Sequence, residues 1–236
     1  MTSREPLVAS LNAYATEGGL DGRFQPATCF NPAIALGYVT APGEALNLWH
    51  HYESLIDAAA IAGVTHLQFN LSWARLEPHD GSFDHEAFAR YQRAFTYATD
   101  AGLVVQVGSC DGAWPAWLGL EPWLWPWTES VTLRYLETLA PYCEQVQSIS
   151  VLPTASTLEK GFLRADGPPW RSNAALDAAA STERLTAIAA RARVAGLLRD
   201  DQSALPPSVA LVAGMGPLAA ANALLTREGS QWVPAS

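Results

Sequence analysis

The sequence predicts an α/β fold: a partial (β/α) barrel of the TIM type, with about five parallel strand-helix units and without the C-terminal strands of a full eight-unit barrel. Three observations lead there. Five short β-branched runs alternate with longer stretches of helical periodicity. The strand runs are almost continuously apolar, as strands covered by helices are. Eight units take roughly 200 to over 400 residues, whereas the five recognisable units already fill the 236 residues of this chain.

The strand candidates are Ala27–Asn31, Thr65–Ser72, Leu103–Ser109, Val146–Leu152 and Ser208–Ala213. A helix over Glu44–Ala62 stops at Gly63. The next starts at Asp84, whose carboxylate suits an N-cap, and sets Phe88, Tyr91, Phe95 and Ala98 on one face before Gly102 ends it. A third covers Glu129–Cys143 with Val131, Tyr135, Leu136 and Leu139 inward. A fourth covers Thr182–Arg199 with Leu185, Ile188, Ala192 and Leu197 on a stripe, and a short last helix follows Pro217. The whole of 1–236 reads as a single domain, with 1–22 an N-terminal extension and 228–236 a flexible tail. An open barrel leaves an apolar flank and unpaired strand edges, so a homodimer covering the open side is the expected assembly.

Bulk chemistry narrows the function. The formal charge is −9 and only 16% of residues are charged. Phosphate backbones and anionic membranes need clustered cations, so nucleic acid and membrane are not expected partners. The N-terminus lacks a signal-peptide pattern and no apolar run approaches a bilayer span. The three cysteines, Cys29, Cys110 and Cys143, are widely spaced, which suits reduced thiols and a cytoplasmic location. No CxxC, HExxH or His-rich cluster is present, so neither a metal nor a cofactor is expected.

Several blocks carry a resemblance. WHHYESLIDAAAIAGVTHLQFNLSWARLEP is followed by an amphipathic helix and GLVVQVGSCDGAWPAWL; later come WTESVTLRYLETLAPYCEQVQSISVLPTA and GFLRADGPP. In this order they resemble glycoside hydrolase family 1, the β-glucosidase-like retaining enzymes. Asn47–Tyr52 falls on that family's D-H-Y-H-x-Y stretch, Gln68–Leu76 on R-F-S-I-S-W-x-R-I, and Val107–Leu118 on the third-strand motif ending H-W-D-L-P-x-W-L. The resemblance implies a barrel fold and carbohydrate chemistry.

The reactive positions differ. The resemblance puts a catalytic Glu after the fourth strand, where this chain reads Leu152-Pro153-Thr154-Ala155. The sugar-binding His falls at Asp111, its neighbouring Trp at Gly112, and the second-strand Arg at Gln68. The Gln expected after the first strand has no equivalent near Asn31–Ala33, and the nucleophilic Glu belongs to a seventh strand. Retaining hydrolysis needs two carboxyls about 5–5.5 Å apart, so the family mechanism is not expected.

Strand ends supply ligand groups in parallel α/β folds. Asp111 is the candidate catalytic acid/base; enclosure by Trp73, Trp114 and Trp117 would raise its pKa. The competing reading is a loop acid that caps the Gly112 turn or pairs with Arg75. Candidate substrate-binding residues are Asn31, Gln68, Asn70, Trp73, Trp114 and Thr154. Asn70 could equally be satisfied within the core, and the tryptophans could be loop packing, a ligand wall or a subunit contact. Cys110 reads as a small hydrophobe, His50 and His51 as helix packing, and Glu77-Pro78 as a turn. Three functions remain open. One is a repurposed enzyme acting on a small neutral molecule by cyclisation, isomerisation or elimination. The second is a non-catalytic binding or assembly protein, and the third is residual glycoside hydrolysis using Asp111 with Glu159.

Overall fold

A computed structural model describes residues 7–20, 26–35, 37, 40–109, 114–119, 122, 125–150, 183–184, 187–188, 190–197, 210–213, 225–228 and 231–234. Its centre is a parallel sheet of β1 (Val8–Asn12), β2 (His66–Asn70), β3 (Val104–Gly108), β4 (Ser148–Ser150) and β5 (Ala210–Ala213), in the order β4-β3-β2-β1-β5. This bears out the partial α/β barrel.

The first strand lies elsewhere than the sequence predicts. Ala27–Asn31 forms no strand: Thr28 makes one bridge to Pro115, and α2 begins at Asn31 and runs to Ala35. Val8–Asn12, assigned to an N-terminal extension, is instead central, pairing with β2 on one side and β5 on the other. Its alternation explains the structure, and its small Ala9 and Ser10, weak strand formers, the misreading. Ala9 and Leu11 are buried, while Ser10 and Asn12 are polar and half-buried, so the segment lacks a continuous apolar run. A consecutively wound barrel sets the fifth strand beside the fourth; here β5 sits beside β1, pairing an edge that would otherwise be open.

After β1 comes α1 (Ala13–Thr16), and Gly18 then turns at φ 82°, where a Cβ would lie 2.3 Å from the Glu44 carbonyl oxygen, so only glycine fits. α3 runs over Leu48–Ile61, later than the sequence suggests, because Gly43, Ala45 and Asn47 all take positive φ before it. α4 (Trp73–Leu76) is one turn capped by Ser72. α5 (His85–Asp100) starts as expected, the Asp84 carboxylate accepting from the Ala87 amide at 2.9 Å, and Phe88, Tyr91, Phe95 and Ala98 are buried. α6 (Thr128–Leu139) gives way to a 3₁₀ turn over Ala140–Cys143, where Pro141 has no N–H to continue the helix. Tyr135, Leu136 and Leu139 point inward, with Val131 partly buried. Residues 190–194 are helical and bury Ala192. α5 packs against β3 and against α3 and α4, and α1 against β1. Phe69 of β2 meets Phe95 of α5 edge-on at 5.2 Å, joining sheet to helix layer.

The expected helix after Pro217 lies outside the described residues. The tail expected to be flexible from Glu228 instead pairs: β6 (Leu225–Glu228) and β7 (Gln231–Pro234) run antiparallel. Only Gly229-Ser230 links them, a length and composition suited to a hairpin.

Candidate functional site

Strand register aligns a polar row across the sheet. Ser10, Gln68, Gln106 and Ser148 are successive partners in β1 to β4, and Asn12, Asn70, Gly108 and Ser150 form the next layer. The alternate residues Ala9, Leu11, Leu67, Phe69, Val105, Val107 and Ile149 fill the apolar core. Bulky branched side chains usually fill a barrel interior; amides and hydroxyls hold these places here. Asn70 donates through Nδ2 to Ser10 Oγ at 2.9 Å, and Gln106 donates through Nε2 to Gln147 Oε1 at 3.0 Å. Two sequence-predicted residues, Gln68 and Asn70, thus lie on one uncharged polar face, Gln68 half-buried and Asn70 buried. The remainder of the row becomes visible only with cross-strand register.

Asn70 Oδ1 is buried without a hydrogen-bond partner and packs on Gly108, where a Cβ would stand 2.2 Å away. Gly108→Ala therefore drives the Asn70 amide out of place. The expected loss is about 1–3 kcal/mol by chemical denaturation; in an Asn70→Ala background most of that loss disappears. An equal cost in both backgrounds would show that the contact is not the cause.

The other candidates are placed differently. Asn31 sits at the start of α2, its Oδ1 accepting from the Thr28 amide at 2.6 Å, which makes it a turn residue rather than a strand-end ligand. Trp73 and Trp114 are each 1% exposed. Trp73 stacks on Tyr135 at 4.4 Å and donates to Glu77 Oε2 at 2.8 Å; Trp114 donates to the Gly119 carbonyl at 2.7 Å. Both indoles are packing elements with their N–H groups satisfied internally, which removes them from a ligand wall. Asp111 and Thr154 lie outside the described residues.

Moving the first strand brings a new acid to the strand ends. Glu17 follows β1 by way of α1 and is 2% exposed. Arg75 Nε meets Glu17 Oε2 at 3.1 Å, Arg75 Nη2 donates to the Gly18 carbonyl at 2.9 Å, and the Tyr91 hydroxyl donates to Glu17 Oε1. The Ser72 amide donates to the same hydroxyl at 3.0 Å. Desolvation pushes the Glu17 carboxyl above the ordinary range against the opposing pull of Arg75, and burial beside Glu17 holds the Tyr91 phenol well above its usual value. The signal that could have revealed this cluster was Glu17-Gly18-Gly19 directly after an alternating Val8–Asn12.

A second acid, Glu77, is likewise spent on structure. It is fully buried and accepts from Trp73 Nε1, from the Gly81 amide at 2.9 Å, and from Arg134 Nη2 at 2.5 Å. The turn expected at Glu77-Pro78 is thus a hydrogen-bonded hub. Among the described residues no group of three or more His, Cys, Asp or Glu could hold a metal ion, and no helix is long and apolar enough to cross a membrane.

Comparison with known proteins places this architecture. The β-galactosidase family 42 glycoside hydrolase model matches residues 48–121, the region that includes β2, β3 and α5. A β-glycosidase from Pyrococcus horikoshii superposes with a TM-score of 0.65 at 23% identity, covering 79% of this chain and 44% of its own. The family 1 β-glucosidase of Thermotoga maritima gives 0.70 at 18%, covering 81% and 46%. A β-glucosidase from Exiguobacterium marinum gives 0.71 at 17%, covering 87% and 48%. The chain therefore spans about half the length of the structures it matches. No curated protein sequence shows significant similarity to it. The family model and the solved structures carry different glycosidase family names, and they agree on a barrel glycosidase fold; at these identities the likeness establishes the fold alone.

Proposed function

Taking a partial β/α barrel of the β-glucosidase type as the premise, we propose that this chain is a repurposed relative lacking the family's catalytic glutamates. It acts on a small neutral molecule, sugar-derived or biosynthetic, by acid/base chemistry such as cyclisation, isomerisation or elimination. The observation that carries this reading is the uncharged polar face of the sheet, the row of Ser10, Gln68 and Gln106 with Asn70 in the next layer. Such a lining offers hydrogen bonds but no counter-charge, and burying an unpaired charge against it is costly. It therefore selects a neutral ligand. Asp111 follows Gly108 by three positions and is assigned the proton-transfer role, with Thr154, four positions beyond Ser150, as a positioning group.

The described buried acids at the strand ends, Glu17 and Glu77, are consumed by Arg75, Tyr91, Trp73 and Arg134. Residues 152–155 contain no carboxylate. Aryl β-glycosides are accordingly expected to release no chromophore above buffer background; robust turnover that Asp111→Asn abolishes would instead establish residual glycoside hydrolysis. The second reading is a non-catalytic assembly protein in the cytoplasm. It is favoured by Trp125 and Trp127, 55% and 44% exposed at the start of α6, which would meet a second copy of the chain. A concentration-independent monomer mass in sedimentation removes that reading.

A further inference from the structure

A cleft of about 260 Å³, with no polar-row residue in its lining, lies between the start of α3, Arg75 of α4 and the first turns of α5. Its chemistry comes from Trp49, Arg75, Asp84, Glu86, Arg90 and Arg93. Both signs of charge face one concavity, yet no ion pair joins Arg90 or Arg93 to Asp84 or Glu86 among the described residues. The positive wall is organised around Trp49: the Arg75 guanidinium lies 4.0 Å from its ring centroid and that of Arg90 5.4 Å, while Arg90 Nε donates to the Trp49 carbonyl at 2.5 Å. That bond uses one nitrogen of Arg90, whose guanidinium also lies 5.7 Å from the Tyr52 ring centroid and lines the cleft. The acidic wall is the first turn of α5, where Asp84 caps the Ala87 amide and Glu86 stands exposed.

A simple anion would meet Asp84 and Glu86, and a simple cation would meet three guanidinium groups. A ligand bearing both charges satisfies both walls. Glu86 and Arg90 lie four positions apart on the helix, about 6 Å of axial rise. We propose that this cleft binds a small zwitterion with separated charges, an ω-amino acid, its carboxylate on Arg90 and Arg93 and its ammonium on Glu86 and Asp84. The site is independent of the polar row and of any chemistry at Asp111.

The probe is 4-aminobutanoate, with butanoate and butylammonium as single-charge controls, titrated into the whole chain and followed by amide chemical shifts. Saturable shifts clustered on α5 and at Trp49 are expected for the zwitterion, with each control at least ten-fold weaker. Arg93→Gln and Glu86→Gln, both exposed positions whose replacement leaves the core intact, should each weaken the zwitterion about ten-fold while leaving the spectrum folded. Equal binding of all three probes, no saturation by the zwitterion, or undiminished binding by the two variants would overturn the proposal.

Discussion

Arg75→Met is expected to lower stability by about 3–5 kcal/mol at neutral pH, because it strands a carboxylate that is almost completely buried. Arg75 is 4% exposed and holds Glu17, the Gly18 carbonyl and the face of Trp49 at once, so the change severs the loop after β1 from the turn after β2. Methionine fills comparable volume, which isolates the electrostatic part of the loss from cavity formation. The pH dependence follows from the direction of the Glu17 shift. Its folded pKa is raised, so the folded state binds the proton more tightly than the unfolded chain. Stability from this group is full below the ordinary Glu value and is lost as pH rises through the raised folded value. Without Arg75, which pulls that value down, the window extends upward. The variant should therefore be hurt less in mild acid than at neutrality, as read by urea midpoints at the two pH values. A loss that is the same at both, or smaller than about 1 kcal/mol, is what a surface ion pair would give.

The second large effect is chemical. If Asp111 moves the proton, Asp111→Asn is expected to reduce turnover by about 10²–10⁴-fold while leaving the denaturation midpoint close to that of the parent chain. Asn keeps the size and one carbonyl of the side chain and removes its basicity. A fall in rate that comes with a fall in stability would mark Asp111 as a turn-capping residue instead.

Much of the architecture was legible in residues alone. Thr65–Ser72 contains β2 because it alternates Leu67, Phe69 and Leu71 with polar residues, Leu103–Ser109 contains β3 because it is a Val-rich apolar run, and Asp84 announced α5 through a cap that the structure contains. β1 was not legible because, although it alternates as β2 does, its core-facing Ala9 and Leu11 are neither β-branched nor aromatic, the residue types that mark a strand. That miss hid Glu17, since the residues following a strand are recognised only once the strand is. The direction of an indole cannot be read from its neighbours in sequence, which is why Trp73 and Trp114 looked like ligand walls and are core. Gln68 and Asn70 stood out individually, but the alignment of Gln68 with Ser10 and Gln106, and of Asn70 with Asn12 and Gly108, is a property of pairing register across the strands. The absence of a carboxylate at 152–155 needed only the sequence.

The central claim, a neutral polar site at which Asp111 transfers protons, is tested most directly by hydrogen exchange from solvent. The protein is incubated in D₂O with pools of small uncharged hydroxylated carbonyl compounds, and each compound is followed by mass. Deuterium entry or isomer formation in a subset of them, falling about 100-fold or more in Asp111→Asn, is the predicted result. Exchange at equal rates in both proteins, or none with either, contradicts it.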